Sequence, residues 1–351
     1  MFEASVLNQV QAALYLPLVL TLGSLATGLA LVFGGVEVIV GGVTTGTLIA
    51  FLTYTRHFFE PIEELAHWFA EMQMAQASAE RIISLIDAES DIQDSPEVKK
   101  KMALQHRIGL APDGHGEDIQ QIEFENVRFS YAVGGEVLKG INLSISKGEN
   151  IAIVGSTGSG KTSLVNLLCR FNEPTAGRIL IDGIDSRARS LEWLQSNLGI
   201  VLQSSHIFGG SIADNIRYGK LDATRDEIVT AAKKAGAHGF ISQIDGDYDS
   251  EVGKAGARLS AGEKQLISFA RAILADPAIL VMDEATSSVD TVTEQEIQRG
   301  LSELLQGRIS LVIAHRLSTI RQADRILVLE HGEIIESGDH ATLMAQRGRY
   351  Y

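Results

Sequence analysis

The chain of 351 residues holds one cysteine, Cys169. It therefore has no second thiol with which to build an intramolecular disulfide framework. Basic side chains are also in short supply. Thirty Lys and Arg stand against 44 Asp and Glu, giving a net charge of −14 at pH 7. Holding a nucleic acid by phosphate neutralisation needs a clustered basic surface, so this balance argues against that class of partner. Internal repeats are absent as well. The most informative lack is local: no charged side chain lies between Glu3 and Glu37. No Lys or Arg precedes that gap, and the run is too long for a cleaved signal peptide.

What fills the gap is apolar on every face. From Ala12 to Phe33 the chain reads AALYLPLVLTLGSLATGLALVF. About 20 such residues cross a bilayer core of roughly 30 Å as a helix, whereas a buried helix of a soluble protein is usually shorter and amphipathic. A second charge-free stretch runs from Val38 to Thr55 and continues past Arg56 and Glu60. Helices are expected over about 12–33 and 46–68. From about Ile62 to Ile86 the pattern turns amphipathic and acidic, as in a helix that continues into water. Residues 88–118 are polar, contain Pro96, Pro112, Gly114 and Gly116, and show no apolar period. They read as a linker.

From residue 119 onward short apolar strands alternate with helical patterns, the signature of an α/β domain. Directly after the strand-like ENIAIVG comes GSTGSGKT, Gly155–Thr162, and then a helical SLVNLLCRF. This is the G-x-x-x-x-G-K-[ST] loop in its strand–loop–helix context. Glycine lets backbone N–H groups approach a phosphate chain closely, and the helix N-terminus adds partial positive charge. Gly155, Ser156, Thr157, Gly158, Ser159, Gly160, Lys161, Thr162 and Ser163 are the expected ATP cradle. Within it Lys161 would reach the β- and γ-phosphates and Thr162 would offer its hydroxyl to Mg²⁺. Farther on, an apolar strand from Ala278 to Met282 ends in Asp283 and Glu284. Carboxylates at a strand's C-terminal end lie where ligands collect in open α/β sheets. Asp283 would hold the metal through water, and Glu284 would orient or deprotonate the attacking water.

The order of these motifs resembles the ATP-binding cassette (ABC) family, and the fused apolar front end resembles its exporters. The resemblance covers essentially the whole chain and implies a fold: the last two membrane helices of an exporter, followed by an α/β P-loop domain of the ABC type. Residues 1–87 would be the partial membrane domain, 88–118 the linker and 119–351 the nucleotide-binding domain. Tyr131 looks like the aromatic residue that stacks on adenine. Gln203, in GIVLQSSHIFGGSIADNI, matches the glutamine that contacts Mg²⁺ and senses the membrane part. LSAGEKQ, Leu259–Gln265, matches the signature segment that binds the γ-phosphate of ATP held by the opposite subunit; Ser260 and Gly262 carry over. Asp290 matches the loop joining the two sites, and His315 the histidine that contacts the γ-phosphate.

The sequence departs from the family pattern at Ala261, Glu263, Ser204 and Lys254–Ala255, which bear on coupling between the domains. Lys161, Asp283, Glu284 and His315 keep the family's residue types. The resemblance implies an integral membrane ATPase of the cell membrane, multi-pass, with its nucleotide-binding domain in the cytoplasm. Its partners would be a second ABC subunit (identical or different), the lipid bilayer and a transported substrate that the sequence does not name. Two helices cannot enclose a path alone. The chain is accordingly expected to be the C-terminal part of a half-transporter, either a fragment or a shortened gene product. The competing readings are a soluble ABC ATPase without transport, against which the charge-free front end argues, and a membrane fragment that binds or hydrolyses ATP without transporting.

Overall fold

The computed structural model describes residues 2–107, 118–203, 205–283 and 291–351. It divides into two compact units, Met1–Ser90 and Asp91–Tyr351.

The first unit is a pair of long helices, α1 (Phe2–Val40) and α2 (Thr45–Ile86). Their connection is written in the sequence. Gly41 takes φ +81°, the Gly42 N–H donates to the Glu37 carbonyl at 2.8 Å, and α1 ends. The Thr44 hydroxyl then accepts the Thr47 N–H at 3.2 Å and starts α2. Both helices are longer than the expected 12–33 and 46–68, and α2 runs on through Pro61 without a break. Among the described residues, Pro17–Val40 is the one segment long and apolar enough to cross a membrane. The expected second span does not qualify, because Arg56, Glu60, Glu63 and Glu64 fall within 46–68.

The second unit begins inside the expected linker. Helix α3 (Pro96–Arg107) occupies much of 88–118, and Val98 is buried. Proline at its first position costs no hydrogen bond, and Ser95 caps it by accepting the Val98 N–H at 3.2 Å. Then come β1 (Gln121–Ser130), β2 (Glu136–Ser146), β3 (Asn150–Val154), α4 (Lys161–Leu168), β4 (Ala176–Ile181) and β5 (Ile184–Asp185). Helix α5 (Leu191–Ser196), β6 (Leu198–Val201), α6 (Ile212–Arg217), α7 (Arg225–Lys234) and α8 (His238–Ile241) follow. The unit closes with α9 (Ala261–Ala275), β7 (Ile279–Asp283), α10 (Thr291–Leu305), β8 (Ile309–Ile313), α11 (Leu317–Gln322), β9 (Arg325–Glu330), β10 (Glu333–Gly338) and α12 (His340–Gln346).

The strands form an antiparallel sheet in the order β2-β1-β4-β5 and a larger sheet in the order β10-β9-β3-β8-β7-β6. Strands β9, β3, β8, β7 and β6 are parallel neighbours, with β10 added antiparallel at the edge. Strands β3, β7, β8 and β9 are largely apolar because both faces are covered, whereas Ile200 of the edge strand β6 is exposed. Ile151, Ile153, Val281, Leu311 and Leu327 face the antiparallel sheet and α4. Ala152, Leu280, Met282, Val312 and Val328 face the opposite way, onto Ile267, Phe269, Ile297 and Leu301 of α9 and α10. The result is a rigid parallel platform with its strand C-termini pointing to one edge.

Candidate nucleotide site

The glycine-rich loop leaves that edge at the end of β3. A Cβ on Gly155, whose φ is +157°, would collide with the Leu329 carbonyl and come within 2.7 Å of Ser159 Oγ. Gly160, at φ +107° and N-cap of α4, would meet Leu138 at 2.7 Å. Gly158, at φ +82°, has nothing within 4 Å of its Cβ position and faces open space. Two glycines are thus forced by the protein, and the third leaves the cradle unobstructed. The loop is braced from behind: the Ser159 N–H donates to Ser156 O at 3.2 Å, and the Gly332 N–H donates to Ser159 O at 3.1 Å. Gly332, in the β9–β10 turn, was missed in the sequence, where the dipeptide His331–Gly332 between two apolar runs marks only a turn.

Lys161 is the first residue of α4. Its Nζ donates to the loop's own carbonyls, Gly155 O at 2.8 Å and Ser156 O at 3.0 Å. Burial lowers its pKa below that of a free lysine, and the Asp283 carboxylate acts in the opposite direction. The end of β7 lies two strands from the loop-bearing end of β3, with β8 between them. Strands β3, β8, β7 and β6 are consecutive neighbours. Lys161 follows the C-terminal end of β3, His315 that of β8, Asp283 closes β7 and Gln203 follows β6. At about 4.8 Å per strand the row from β3 to β6 spans about 14 Å. His315 and Gln203 are both exposed there. Tyr131, just beyond β1, is 44% exposed, with its hydroxyl 3.1 Å from Ser163 Oγ on α4 and its ring edge-on to Phe129.

Ser260 and Gly262 stand at the start of α9. The Ser260 hydroxyl accepts the Glu263 N–H at 3.3 Å, and the Glu263 carboxylate accepts the Ser260 N–H at 2.7 Å. This reciprocal capping box takes Glu or Gln alike at its third helical position, so Glu263 fits the local structure. Ala261 simply occupies the first helical position. Ala255 takes φ +53°, a left-handed conformation. Glu284 and Asp290, with Ser204, lie outside the described residues.

Sequence reasoning also missed the clamp that ties this helix to the Gln203 segment. Arg271 of α9 donates from Nε to Asn215 O at 2.9 Å, from Nη1 to His206 O at 3.1 Å and from Nη2 to Asn215 Oδ1 at 3.2 Å. Asn215 is 1% exposed and itself accepts the Phe208 N–H at 2.9 Å. Phe208 and Tyr218 stack at 4.4 Å under the guanidinium.

Residues 138–287 match the ABC transporter family model. The chain is 44% identical over 350 residues to a fatty acid ABC transporter ATP-binding/permease protein of Mycobacterium bovis, covering 100% of this chain and 53% of that protein. It is 44% identical over 339 residues to an ATP-dependent lipid A-core flippase of Syntrophus aciditrophicus, covering 97% and 54%. An uncharacterized ABC transporter ATP-binding protein of Bacillus subtilis is 43% identical over 330 residues, covering 94% and 52%. Among solved structures, a bacterial Atm1-family ABC exporter with ATP bound matches at a TM-score of 0.68 and 35% identity, covering 99% of this chain and 57% of that one. The chain spans about half the length of the curated relatives it matches.

Proposed function

We propose that this chain, which belongs to the ABC transporter family, is the C-terminal part of an exporter that hydrolyses ATP with Mg²⁺ to drive a substrate across a membrane. One observation carries the reading: the glycine-rich loop, His315, Asp283 and Gln203 stand at the ends of four consecutive parallel strands.

In this reading adenine stacks on Tyr131, whose ring is fixed by Phe129 and Ser163. The N–H groups of residues 155–163 and the start of α4 hold the phosphates. Lys161 exchanges its bonds to the Gly155 and Ser156 carbonyls for phosphate oxygens. The Thr162 hydroxyl, the Asp283 carboxylate (through water) and the Gln203 amide oxygen form an all-oxygen donor set of the kind Mg²⁺ takes. The ion supplies charge neutralisation at the transferred phosphoryl group. Glu284 orients or deprotonates water, and His315 contacts the γ-phosphate. Ser260 and Gly262 meet ATP held by a second ABC subunit, identical or different, and Asp290 links the two sites. Alternation between ATP-bound and reset dimers then shifts a multi-pass membrane part in the bilayer, with the nucleotide-binding unit in the cytoplasm. Fatty acid and lipid A-core are named for relatives, which directs the substrate search toward amphiphiles.

The deciding variant is Glu284→Gln. Turnover should fall by about 10²–10⁴-fold, the usual worth of a general base, while ATP binding and ATP-driven dimerisation persist. Undiminished hydrolysis would remove Glu284 from the role.

A further inference from the structure

The expected linker contributes to the nucleotide-binding unit through one buried arginine. Arg170 follows α4 by two residues, and its side chain is 4% exposed. It donates from Nε to Glu173 Oε1 at 3.1 Å, from Nη1 to Arg189 O at 3.1 Å, Ser186 O at 3.4 Å and Asp94 Oδ1 at 3.5 Å, and from Nη2 to Gln93 O at 3.4 Å. Asp94 Oδ1 also accepts the Leu191 N–H at 2.9 Å. Arg170 does this from a left-handed backbone at φ +52°. That is the helix-ending position where glycine sits without strain. An arginine held there points to a task for the guanidinium, whose planar fork serves several fixed acceptors at once.

Two features give this clasp a consequence. Helix α2 ends at Ile86 and the nucleotide-binding unit begins at Asp91, so only residues 87–90 separate the last long helix from the clasped segment. Helix α4 is eight residues long, about 12 Å, with the cradle residues Lys161 and Thr162 at one end and Arg170 just past the other. We propose that Arg170 is a positioning residue: by gripping Gln93 and Asp94 it ties the chain leaving α2 to the far end of the phosphate-binding helix. Nucleotide at the N-terminus of α4 and displacement of residues 87–90 are then energetically linked, in both directions. The proposal rests on ATP binding at the glycine-rich loop.

The test places a reporter in the bridge. Cys169 is buried and its thiol is pushed up to about 12 by burial, so Glu89→Cys in the full chain, reconstituted in lipid nanodiscs, takes an environment-sensitive maleimide alone. A fluorescent ATP analogue measures Kd separately, and thermal unfolding checks the fold. On saturating ATP the label should respond in the parent. In Arg170→Lys and in Asp94→Ala the response should fall at least about fivefold, the lower end of ordinary site-to-site coupling, while Kd stays within about threefold. A full response in both variants overturns the proposal, as does a response that declines only in step with lost nucleotide binding. A parent that binds nucleotide but gives no response overturns the clasp alone, whereas a parent that binds none overturns the functional reading as well. Should Arg170→Lys fail to fold, Asp94→Asn, which keeps the side-chain volume, decides.

Discussion

Replacing Arg271 by alanine should detach the segment after Gln203 from the signature helix. Two of its three hydrogen bonds end on Asn215, which is 1% exposed. Hydrogen bonds from a charged donor contribute about 1.5–3 kcal/mol each, and orphaned buried acceptors carry their desolvation cost. Taking the lower value for both gives about 3 kcal/mol. The bond to His206 O is exposed and adds little. The guanidinium lies 5.4 Å from the Phe208 ring and 5.8 Å from that of Tyr218, worth about 0.5–1 kcal/mol at a partly exposed site. The expected loss is therefore about 3.5 kcal/mol, out of the 5–15 kcal/mol or so that a domain has. Urea unfolding measures the total, and amide exchange locates it. The Phe208 N–H, which donates to Asn215 Oδ1, should lose protection first. Arg271→Lys keeps the charge but not the fork, so roughly half the loss should remain in that variant. A loss below about 1 kcal/mol, with Phe208 protection unchanged, would refute the clamp.

The remaining predictions concern caps, thiols and acid. Ser260→Ala should cost about 1 kcal/mol whereas Glu263→Gln should be neutral in denaturant unfolding, because Gln closes the same capping box; a costly Gln would contradict the cap. Cys169 in the folded protein should resist iodoacetamide at pH 8, since its thiol titrates near 12, and should react only on unfolding; stoichiometric labelling of native protein by mass would disprove its burial. Glu227 is held down to about 2 by hydrogen bonds from Lys220 and from the Thr224 N–H and hydroxyl. Its folded pKa lies below the ordinary glutamate value of 4.5, so its stabilisation is complete above that value and is lost as pH falls toward 2. The stability gap between parent and Glu227→Gln should shrink across that window, and a gap independent of pH would sink the assignment.

How much was legible follows from how local each requirement is. The glycine-rich loop was readable because its demands fall on eight consecutive residues and its context is a strand and a helix on either side. The same holds for Asp283, since an apolar run ending in a carboxylate can hardly be anything but a buried strand reaching the sheet edge. What holds the first part of 88–118 was not legible because its partners lie far away in sequence. Arg170 is 76 positions from Asp94, and Leu191 is 97. No periodicity in 88–118 announces either. Arg271 and Asn215 are 56 positions apart and look, in sequence, like an ordinary helical arginine and a turn asparagine. The second long helix was read as a span from its apolar first half; Arg56 and the acidic residues from Glu60 onward lower its hydropathy, and Pro17–Val40 alone among the described residues is long and apolar enough to cross a membrane by composition.

The two arginines, considered together, describe one mechanical design. Helices α4 and α9 both start at groups assigned to nucleotide, the cradle in one case and Ser260 and Gly262 in the other. Each is pinned from its far part by an arginine to a segment remote in sequence: residues 93–94 and 186–189 for Arg170, residues 206–215 for Arg271. An α-helix is stiff over 8 or 15 residues, about 12 and 22 Å, so a force at its N-terminus arrives at its other end nearly undiminished. Arginine suits the joint because one planar group bonds several carbonyl oxygens in fixed directions, which a lysine cannot do. On the proposed reading, movement of the N-termini of α4 and α9 would reach residues 93–94 through Arg170 and the segment following Gln203 through Arg271. A site built only to bind ATP would need the helix N-termini and would leave the far ends free; here Arg170 makes five side-chain hydrogen bonds and Arg271 three.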